Sequence, residues 1–268
     1  MLTIVTAWYQ LKNKFNYETY YSWIANFLDN AKCNIVLYTN IESCHVFEKY
    51  KTQKNIHIVI KELDDFKSYK YREEWIRNHE KNYLLKDKTC WQLNMLWSEK
   101  ISFVKLAAEN NYFDNAWYAW CDIGYFRGRL NDSKNAILHT WPCLDKINAL
   151  NHDKIYYGKI CDDKLMINLQ KHLEYRNSDD LPIKEIPPHI CSVAGGFFVI
   201  HNTKIGWWCD IYYKQLGLYF KYKYLVKDDQ IILIDCIAKY MDNFILCEER
   251  DYRYDNWFMF QRILSKAE

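Results

Sequence analysis

The chain has 268 residues, of which 36 are Lys or Arg and 34 are Asp or Glu, so its formal net charge at pH 7 is only +2. A nucleic-acid-binding protein usually carries a clear basic excess, so this balance argues against nucleic acid as a partner. Half of the residues are hydrophobic, whereas only 7 are Gly and 4 are Pro. This composition excludes a disordered or fibrous chain and leaves ample material for a buried core.

The N-terminal part alternates between short apolar runs and amphipathic segments. Strands are predicted at Leu2–Tyr9, Asn34–Asn40 and Ile56–Ile60, because each run is short, apolar and rich in β-branched residues. Between them, Tyr20–Asn30 has the apolar spacing of a helix, and Ser43–Tyr50 suits a short helix. This alternation predicts a parallel sheet with covering helices.

The middle of the chain continues the pattern with longer helical segments. Leu63–Lys88 is charged and is predicted to be a helical excursion over the surface, while Trp91–Asn110 predicts one helix with a broad apolar side. A strand at Ala116–Cys121 then stops at Asp122. Pro142–Asn151 suits a helix with proline at its start.

The C-terminal part is predicted to add three strands and two helices. The strands are Ile155–Ile160, Cys191–His201 and Phe244–Cys247, and the helices are Ile205–Tyr222 and Asp228–Tyr240. Residues 177–188 contain three of the four prolines and predict a loop. Gly195 and Gly196 are expected to interrupt the second of these strands, because glycine weakens a strand. The whole pattern predicts an α/β fold.

The ten cysteines suggest neither a metal site nor a disulfide framework, since no C-x-x-C pair occurs. No signal peptide opens the chain, and no run approaches the ~18 consecutive apolar residues of a membrane span. We therefore expect reduced thiols, no transmembrane segment and a cytoplasmic location.

The first candidate site lies where the strand before Asp122 ends, in the sequence WCDIGYFR at residues 120–127. Ligands of open α/β sheets bind at the carboxyl ends of strands. A carboxylate there can hold a divalent cation that neutralises a diphosphate, and Gly124 would let a backbone approach the ligand closely. An ordinary turn opened by aspartate explains the segment about equally well.

Two further motifs are weak when taken alone. Gly195 and Gly196 indicate the close approach of a backbone or ligand, or else a β-bulge. Asp228 and Asp229 open a helix, where a carboxylate can act as a general base but is more often an N-cap. His201 is the one histidine placed to be a metal ligand, although a core or solvated histidine is the commoner role.

The order of the motifs is more specific than any one of them. The segments are Thr3–Ala7, Trp97–Lys100, Trp120–Arg127, Ala194–Phe198 and then the Asp228-Asp229 pair. This order resembles a GT-A glycosyltransferase and, more narrowly, the HtrL/YibB (WlaTC-type) family of glycosyltransferases, which occurs in bacterial surface-polysaccharide loci and in large viruses. The resemblance covers nearly the whole chain. It implies a single GT-A-like α/β domain over residues 1–268, with a mixed, mostly parallel central sheet flanked by helices.

The resemblance implies a function and a set of donor-binding residues. The reaction would move a sugar, a hexose in the expected class, from a nucleoside-diphosphate sugar to a glycan or other hydroxyl acceptor, and the resemblance favours a UDP-sugar. Residues 1–124 would form the nucleotide-sugar half and residues 125–268 the acceptor half. The implied donor-binding residues are Thr6, Ala7, Thr39, Asn40, Lys100, Asp122, Gly124 and Arg127.

The resemblance also implies an acceptor side and a metal. Gly195 and Gly196 would shape the acceptor side, and Asp228 or Asp229 would bind or deprotonate the acceptor hydroxyl. Mn²⁺ or Mg²⁺ would be held at Asp122. Position 124 is glycine, so the second carboxylate of a D-x-D motif is missing; His201, Asp228 or water would complete the coordination, or metal dependence would be weak.

Two other classes of protein remain open at this point. The missing carboxylate and the 18% aromatic content are compatible with a non-catalytic glycan-binding protein on a degenerate transferase scaffold. AT-rich codon usage explains the same aromatic content. Trp257–Phe260 suggests a peripheral membrane contact, but the charges around it show no basic excess.

Overall fold

The computed structural model describes residues 1–127 and 138–266. Within those residues seven strands form one sheet. They are β1 (Leu2–Ala7), β2 (Asn34–Thr39), β3 (Ile56–Ile60), β4 (Trp117–Cys121), β5 (Ile155–Lys159), β6 (Val193–His201) and β7 (Phe244–Glu248). The strand order is β3-β2-β1-β4-β6-β5-β7, and β6 alone runs against the other strands. The predicted mixed, mostly parallel sheet is confirmed.

Helices flank this sheet. In the described ranges they are α1 (Tyr17–Asn30), α2 (Arg72–Lys81), α3 (Trp91–Ser98), α4 (Lys100–Asn110), α5 (Leu144–Asn148), α6 (Asp163–Glu174), α7 (Asn202–Lys221), α8 (Asp229–Lys239) and α9 (Phe260–Ile263). None of these helices is both long and apolar enough to cross a membrane.

The sheet separates two apolar cores, one on each face. All six residues of β1 are buried, and its side chains alternate between the two cores. Ile4 packs in the core that contains Phe27 of α1, whereas Val5 packs in the core that contains Phe103 of α4. Strands covered on both faces are apolar throughout, which explains why these runs do not alternate with polar residues.

The predicted helix over Trp91–Asn110 is in fact two helices, α3 and α4, which meet at Glu99. The Glu99 side chain is fully buried, and its Oε1 accepts hydrogen bonds of 2.6 Å from both the backbone N–H and the hydroxyl of Ser68. Burial raises the pKa of the Glu99 carboxyl. This anchor fixes the junction, and a new helix therefore begins at Lys100.

Expectations about several single elements can be compared with the structure. Gly195 and Gly196 lie within β6, but its pairing with β5 is interrupted there, because Tyr157 pairs with Phe198 and the next residue, Gly158, pairs with Ala194. Residues 195–197 therefore have no partner in β5, which agrees with the bulge that the glycine pair predicts. The predicted helical excursion after β3 contains one α-helix, α2, and short 3₁₀ turns. Helix α6 was not predicted, although its buried Met166, Leu169 and Leu173 have helical spacing.

The C-terminal apolar segment packs inside the protein. Phe258, Met259 and Phe260 are all buried and belong to the core that contains α1. These side chains are therefore not available for a membrane surface.

The Glu99 anchor predicts a specific loss of stability. Glu99→Leu leaves two buried donors of Ser68 without their acceptor, which costs about 1–3 kcal/mol for each unsatisfied group. Glu99→Gln keeps an oxygen in the same place and is the matched control. Urea unfolding should give a lower free energy of unfolding for the Leu variant than for the Gln variant; equal values would contradict the assigned role of Glu99.

Candidate functional site

A cleft of about 460 Å³ opens where β1 and β4 end and β6 begins. It brings together Lys100, Asp122, Gly195, Gly196 and Asp229, which come from distant parts of the chain. The carboxyl ends of parallel strands are the usual ligand sites of open α/β sheets. The three motifs singled out from the sequence therefore meet at one place.

The sheet register positions Asp122 against the glycine pair. Strands β4 and β6 are antiparallel neighbours with Cys121 opposite Phe197, and the Asp122 N–H donates to the carbonyl of Gly196 at 2.8 Å. The Trp120 indole N–H donates to Asp122 Oδ1 at 2.7 Å. The carboxylate is thus oriented by its own strand, and its side chain is 36% exposed toward the cleft.

The glycines give the carboxylates room. A Cβ atom at Gly195 would lie 2.5 Å from Asp229 Oδ2, and one at Gly196 would lie 3.3 Å from Asp122 Oδ2. The first distance is a clash and the second is a tight contact. The Gly-Gly pair therefore leaves the space that the side chains of Asp122 and Asp229 occupy.

Lys100 lies between Asp122, Asp229 and the backbone of Gly195. Its Nζ is 3.1 Å from Asp122 Oδ1, 3.0 Å from Asp229 Oδ2 and 2.8 Å from the carbonyl oxygen of Gly195. Burial lowers the pKa of Lys100, but the two carboxylates more than offset this effect, so the pKa lies above its ordinary value. The buried ammonium is therefore charged.

The two aspartates at the start of α8 have different surroundings. Asp228 is the N-cap, with Oδ1 accepting from the Gln230 N–H and Oδ2 lying 2.9 Å from Lys227 Nζ. Asp229 instead faces Lys100 and is only 5% exposed. Burial raises the pKa of Asp229 to about 6 against the opposing effect of Lys100, and the negative charges of Asp228 and Asp122 add to the rise.

The donor-binding residues expected from the sequence are only partly brought together. Lys100, Asp122 and Arg127 line the main cleft, and Ala7 and Gly124 line a smaller adjoining pocket of about 70 Å³. The Arg127 Nε donates to the Gly124 carbonyl at 2.6 Å, and its guanidinium carbon lies 4.4 Å from the ring centroid of Trp23.

Three expected donor residues have side chains that make contacts within the fold. Thr6 is fully buried in β1, the Thr39 hydroxyl donates to the carbonyl of Trp8, and the Asn40 side chain accepts from the Ser43 N–H. Within the described ranges none of these three lines the cleft or the adjoining pocket. Their contact with a donor stays a prediction.

His201 cannot share a metal ion with Asp122. The backbone of Asp122 pairs with Gly196, whereas His201 lies at the far end of β6, opposite Trp117. At about 3.4 Å per residue, the intervening strand is about 17 Å long. His201 contacts the Trp117 ring and the Thr203 hydroxyl there, so the expectation of His201 as a ligand beside Asp122 is wrong.

The residues that the structure describes do not fit the expected Mn²⁺ or Mg²⁺. Such ions take about six oxygen ligands, and within residues 1–127 and 138–266 no three His, Cys, Asp or Glu side chains are grouped to hold one. Two of the carboxylates that line the cleft, Asp122 and Asp229, already share the Lys100 ammonium. The donor set is that of an ion pair rather than a metal site.

The sequence interpretation missed two further cations of the cleft, Lys14 and Lys227. Lys14 lies in the loop between β1 and α1, with its Nζ 5.0 Å from the ring centroid of Trp97. Among the described residues it makes no ion pair, unlike Lys227, which is paired with Asp228. Lys14 lies in the loop that follows β1, and β1 ends at the site. This position was the sequence feature that could have identified Lys14.

Comparison with known proteins finds similar proteins among solved structures but not by sequence. No protein-family model matches the chain, and no curated protein matches it by sequence. Among solved structures, it is similar to mouse xyloside xylosyltransferase 1 in its apo form, at 10% identity and a TM-score of 0.49, over 91% of this chain and 84% of that one.

A second similar structure is the galactosyltransferase LgtC in complex with donor and acceptor sugar analogues. Here the identity is 12% and the TM-score 0.47, over 92% of this chain and 72% of that one. At such identities the similarity concerns the chain path alone. Membership of the HtrL/YibB family stays a prediction.

The close approach at Gly195 predicts a matched pair of variants. Gly195→Ala places a methyl group against Asp229 and should destabilise the protein by about 1–3 kcal/mol. Gly206→Ala in α7 meets no atom within 4 Å and should be neutral or stabilising by up to about 1 kcal/mol. Urea unfolding checks both values, and a Gly195→Ala protein as stable as the wild type would contradict the packing described for the site.

Proposed function

We propose that this protein transfers a sugar from a nucleoside-diphosphate sugar to a hydroxyl group of a glycan or other acceptor. The observation that carries the proposal is the composition of the cleft, which combines cationic, carboxylate and aromatic side chains at the ends of the central strands. Cations bind a diphosphate, aromatic rings stack on sugars and bases, and a carboxylate can accept the proton of a hydroxyl.

The donor is proposed to lie along the side of the cleft formed by β1 and β4. Lys14 and Arg127 face the diphosphate, with Lys100 and Asp122 beneath it, while Ala7 and Gly124 border the adjoining pocket for the base or ribose. A UDP-hexose is the donor favoured by the family resemblance, which also suggested the division into a donor half, residues 1–124, and an acceptor half, residues 125–268.

The acceptor is proposed to lie beside β6 and the start of α8, next to Gly195, Gly196 and Asp229. Because Asp228 is used as the cap of its helix, Asp229 is the better candidate for a base. In an inverting reaction, the acceptor oxygen would attack the anomeric carbon as the bond between the sugar and the diphosphate breaks, and Asp229 would take the hydroxyl proton.

Nucleotide recognition separates this proposal from a non-catalytic glycan-binding protein, which should not recognise a nucleotide. Thermal unfolding should be measured with UDP, GDP, CDP and TDP. A ligand that binds only the folded state adds about 2.7 kcal/mol of stability at a hundredfold excess over Kd. One nucleotide is expected to raise the Tm; no shift with any of the four would favour the glycan-binding alternative.

The role of Asp122 predicts a loss of activity without a loss of fold. The assay uses a nucleotide sugar that contains the nucleoside diphosphate found to raise the Tm. Asp122→Asn should abolish sugar transfer from this donor, because it removes a charge that holds Lys100 in place. Asp210→Asn changes an exposed carboxylate on α7 and is the matched control, with unchanged transfer expected. Circular dichroism checks the fold of both proteins. Full transfer activity in Asp122→Asn would contradict the assignment.

The raised pKa of Asp229 predicts a pH dependence. A base must be deprotonated, so the rate of transfer should fall as the pH drops through about 6. The negative charge of Asp228 contributes to that raised pKa, so Asp228→Asn should move the fall in rate to lower pH. A rate profile that is flat between pH 5 and 8, or a profile unchanged in Asp228→Asn, would argue against Asp229 as the base.

A further inference from the structure

We propose that the Lys100 ammonium takes the place of a divalent metal in this cleft, so that the protein binds the diphosphate of its donor without Mn²⁺ or Mg²⁺. The identity of the ligand rests on the proposed function, whereas the position of the cation does not. The inference follows from the contacts of Lys100, its burial, and the charges around it.

The contacts of Lys100 are those of a bridging cation. Its three nearest oxygens belong to Asp122 at the end of β4, to Asp229 at the start of α8, and to the Gly195 backbone in β6. An ammonium has three N–H donors, and three oxygens lie within 3.1 Å of this one, of which the Gly195 carbonyl accepts a hydrogen bond. A Mg²⁺ ion bridging the same two carboxylates would occupy the position of the ammonium, with oxygens at about 2.0–2.1 Å.

The burial of Lys100 makes an exchange with a metal unfavourable. The residue is only 6% exposed, and its ammonium lies between the two carboxylates. A metal at Asp122 and Asp229 would displace a charged ammonium from its acceptors and leave it buried beside a second cation. Burying an unpaired charge is strongly unfavourable.

The position of Lys100 also departs from the usual preference of helix ends. A cation in the first turn is disfavoured by the helix dipole, which presents positive charge there. Two carboxylates within 3.1 Å outweigh this effect. A lysine placed against the local rule and held by three nearby oxygens is typical of a site built around its charge.

Other cations of the cleft are needed for it to bind an anion. Asp122 and Asp229 together carry two negative charges and Lys100 neutralises one of them, so this cluster keeps one negative charge. Lys14 faces the same cleft with its ammonium near the Trp97 ring and has no ion pair in the described part of the chain. Lys14 and Arg127 are therefore placed to contact phosphate oxygens, with Lys100 as the fixed charge beneath.

The test combines nucleotide binding with direct measurement of Mn²⁺ binding. For the wild type, the Tm shift given by the stabilising nucleoside diphosphate should be the same in excess EDTA and in Mn²⁺. Electron paramagnetic resonance with Mn²⁺ alone should show no bound ion in the wild type. Lys100→Ala frees both carboxylates, so this variant should bind Mn²⁺ and should recover nucleotide affinity at least tenfold when Mn²⁺ is added.

The control is Lys105→Ala, which changes a lysine of the same helix that pairs with Glu109 on its surface. It should behave as the wild type in every measurement. If Lys100→Ala does not fold, Lys100→Met, which keeps the length of the stem without the charge, replaces it in both assays.

The outcomes separate this inference from the proposed function. Wild-type nucleotide binding that is lost in EDTA and restored by Mn²⁺ overturns the inference but leaves the transferase proposal standing. Failure of all four nucleotides to bind counts against the proposed function. In that case the Mn²⁺ spectra still test whether Lys100 occupies the place of a metal ion. Mn²⁺ bound by the wild type, or by neither protein, overturns the inference; Mn²⁺ bound by the Lys100 variant alone supports it.

Discussion

The buried ammonium of Lys100, held between Asp122 and Asp229, is the interaction on which the organisation of the site depends. Removing either partner of a buried ion pair is costly, because the remaining charge is left without compensation. The chain meets this constraint with contributions from distant segments. The junction at Glu99 starts α4 at Lys100, strand β4 ends immediately before Asp122, and α8 begins at Asp229.

The same constraint explains the glycine pair in β6. Asp229 approaches so close to Gly195 that a side chain there would clash, and the Gly195 carbonyl is also the third acceptor of Lys100. The pair therefore makes room for the carboxylates at the point where the pairing of β6 with β5 is interrupted.

Much of the fold was predictable from local pattern. Strands β1 to β4 follow from short apolar runs, since a sheet covered on both faces leaves no polar alternation. The break at Glu99 could not be predicted, because it depends on Ser68, which is distant in sequence. Helix α6 was missed although Met166, Leu169 and Leu173 have helical spacing, so there the signal existed and was overlooked.

The site was predictable in its motifs but not in its contacts. The position of a residue in a motif does not say which way its side chain points, so Thr39 and Asn40 were assigned to a ligand although they bond within the fold. His201 follows the glycine strand in sequence, but β6 carries it to the opposite end of the sheet. Lys14 was missed because a lysine in a loop has no motif to mark it.

The most direct measurement is a crystal structure of the protein grown with a stabilising nucleoside diphosphate in the presence of EDTA. The account predicts a diphosphate in the cleft, within hydrogen-bond distance of Lys14 and above the Lys100 ion pair. Its central claim, that this cleft is the donor site, would be contradicted by a nucleotide bound elsewhere on the protein.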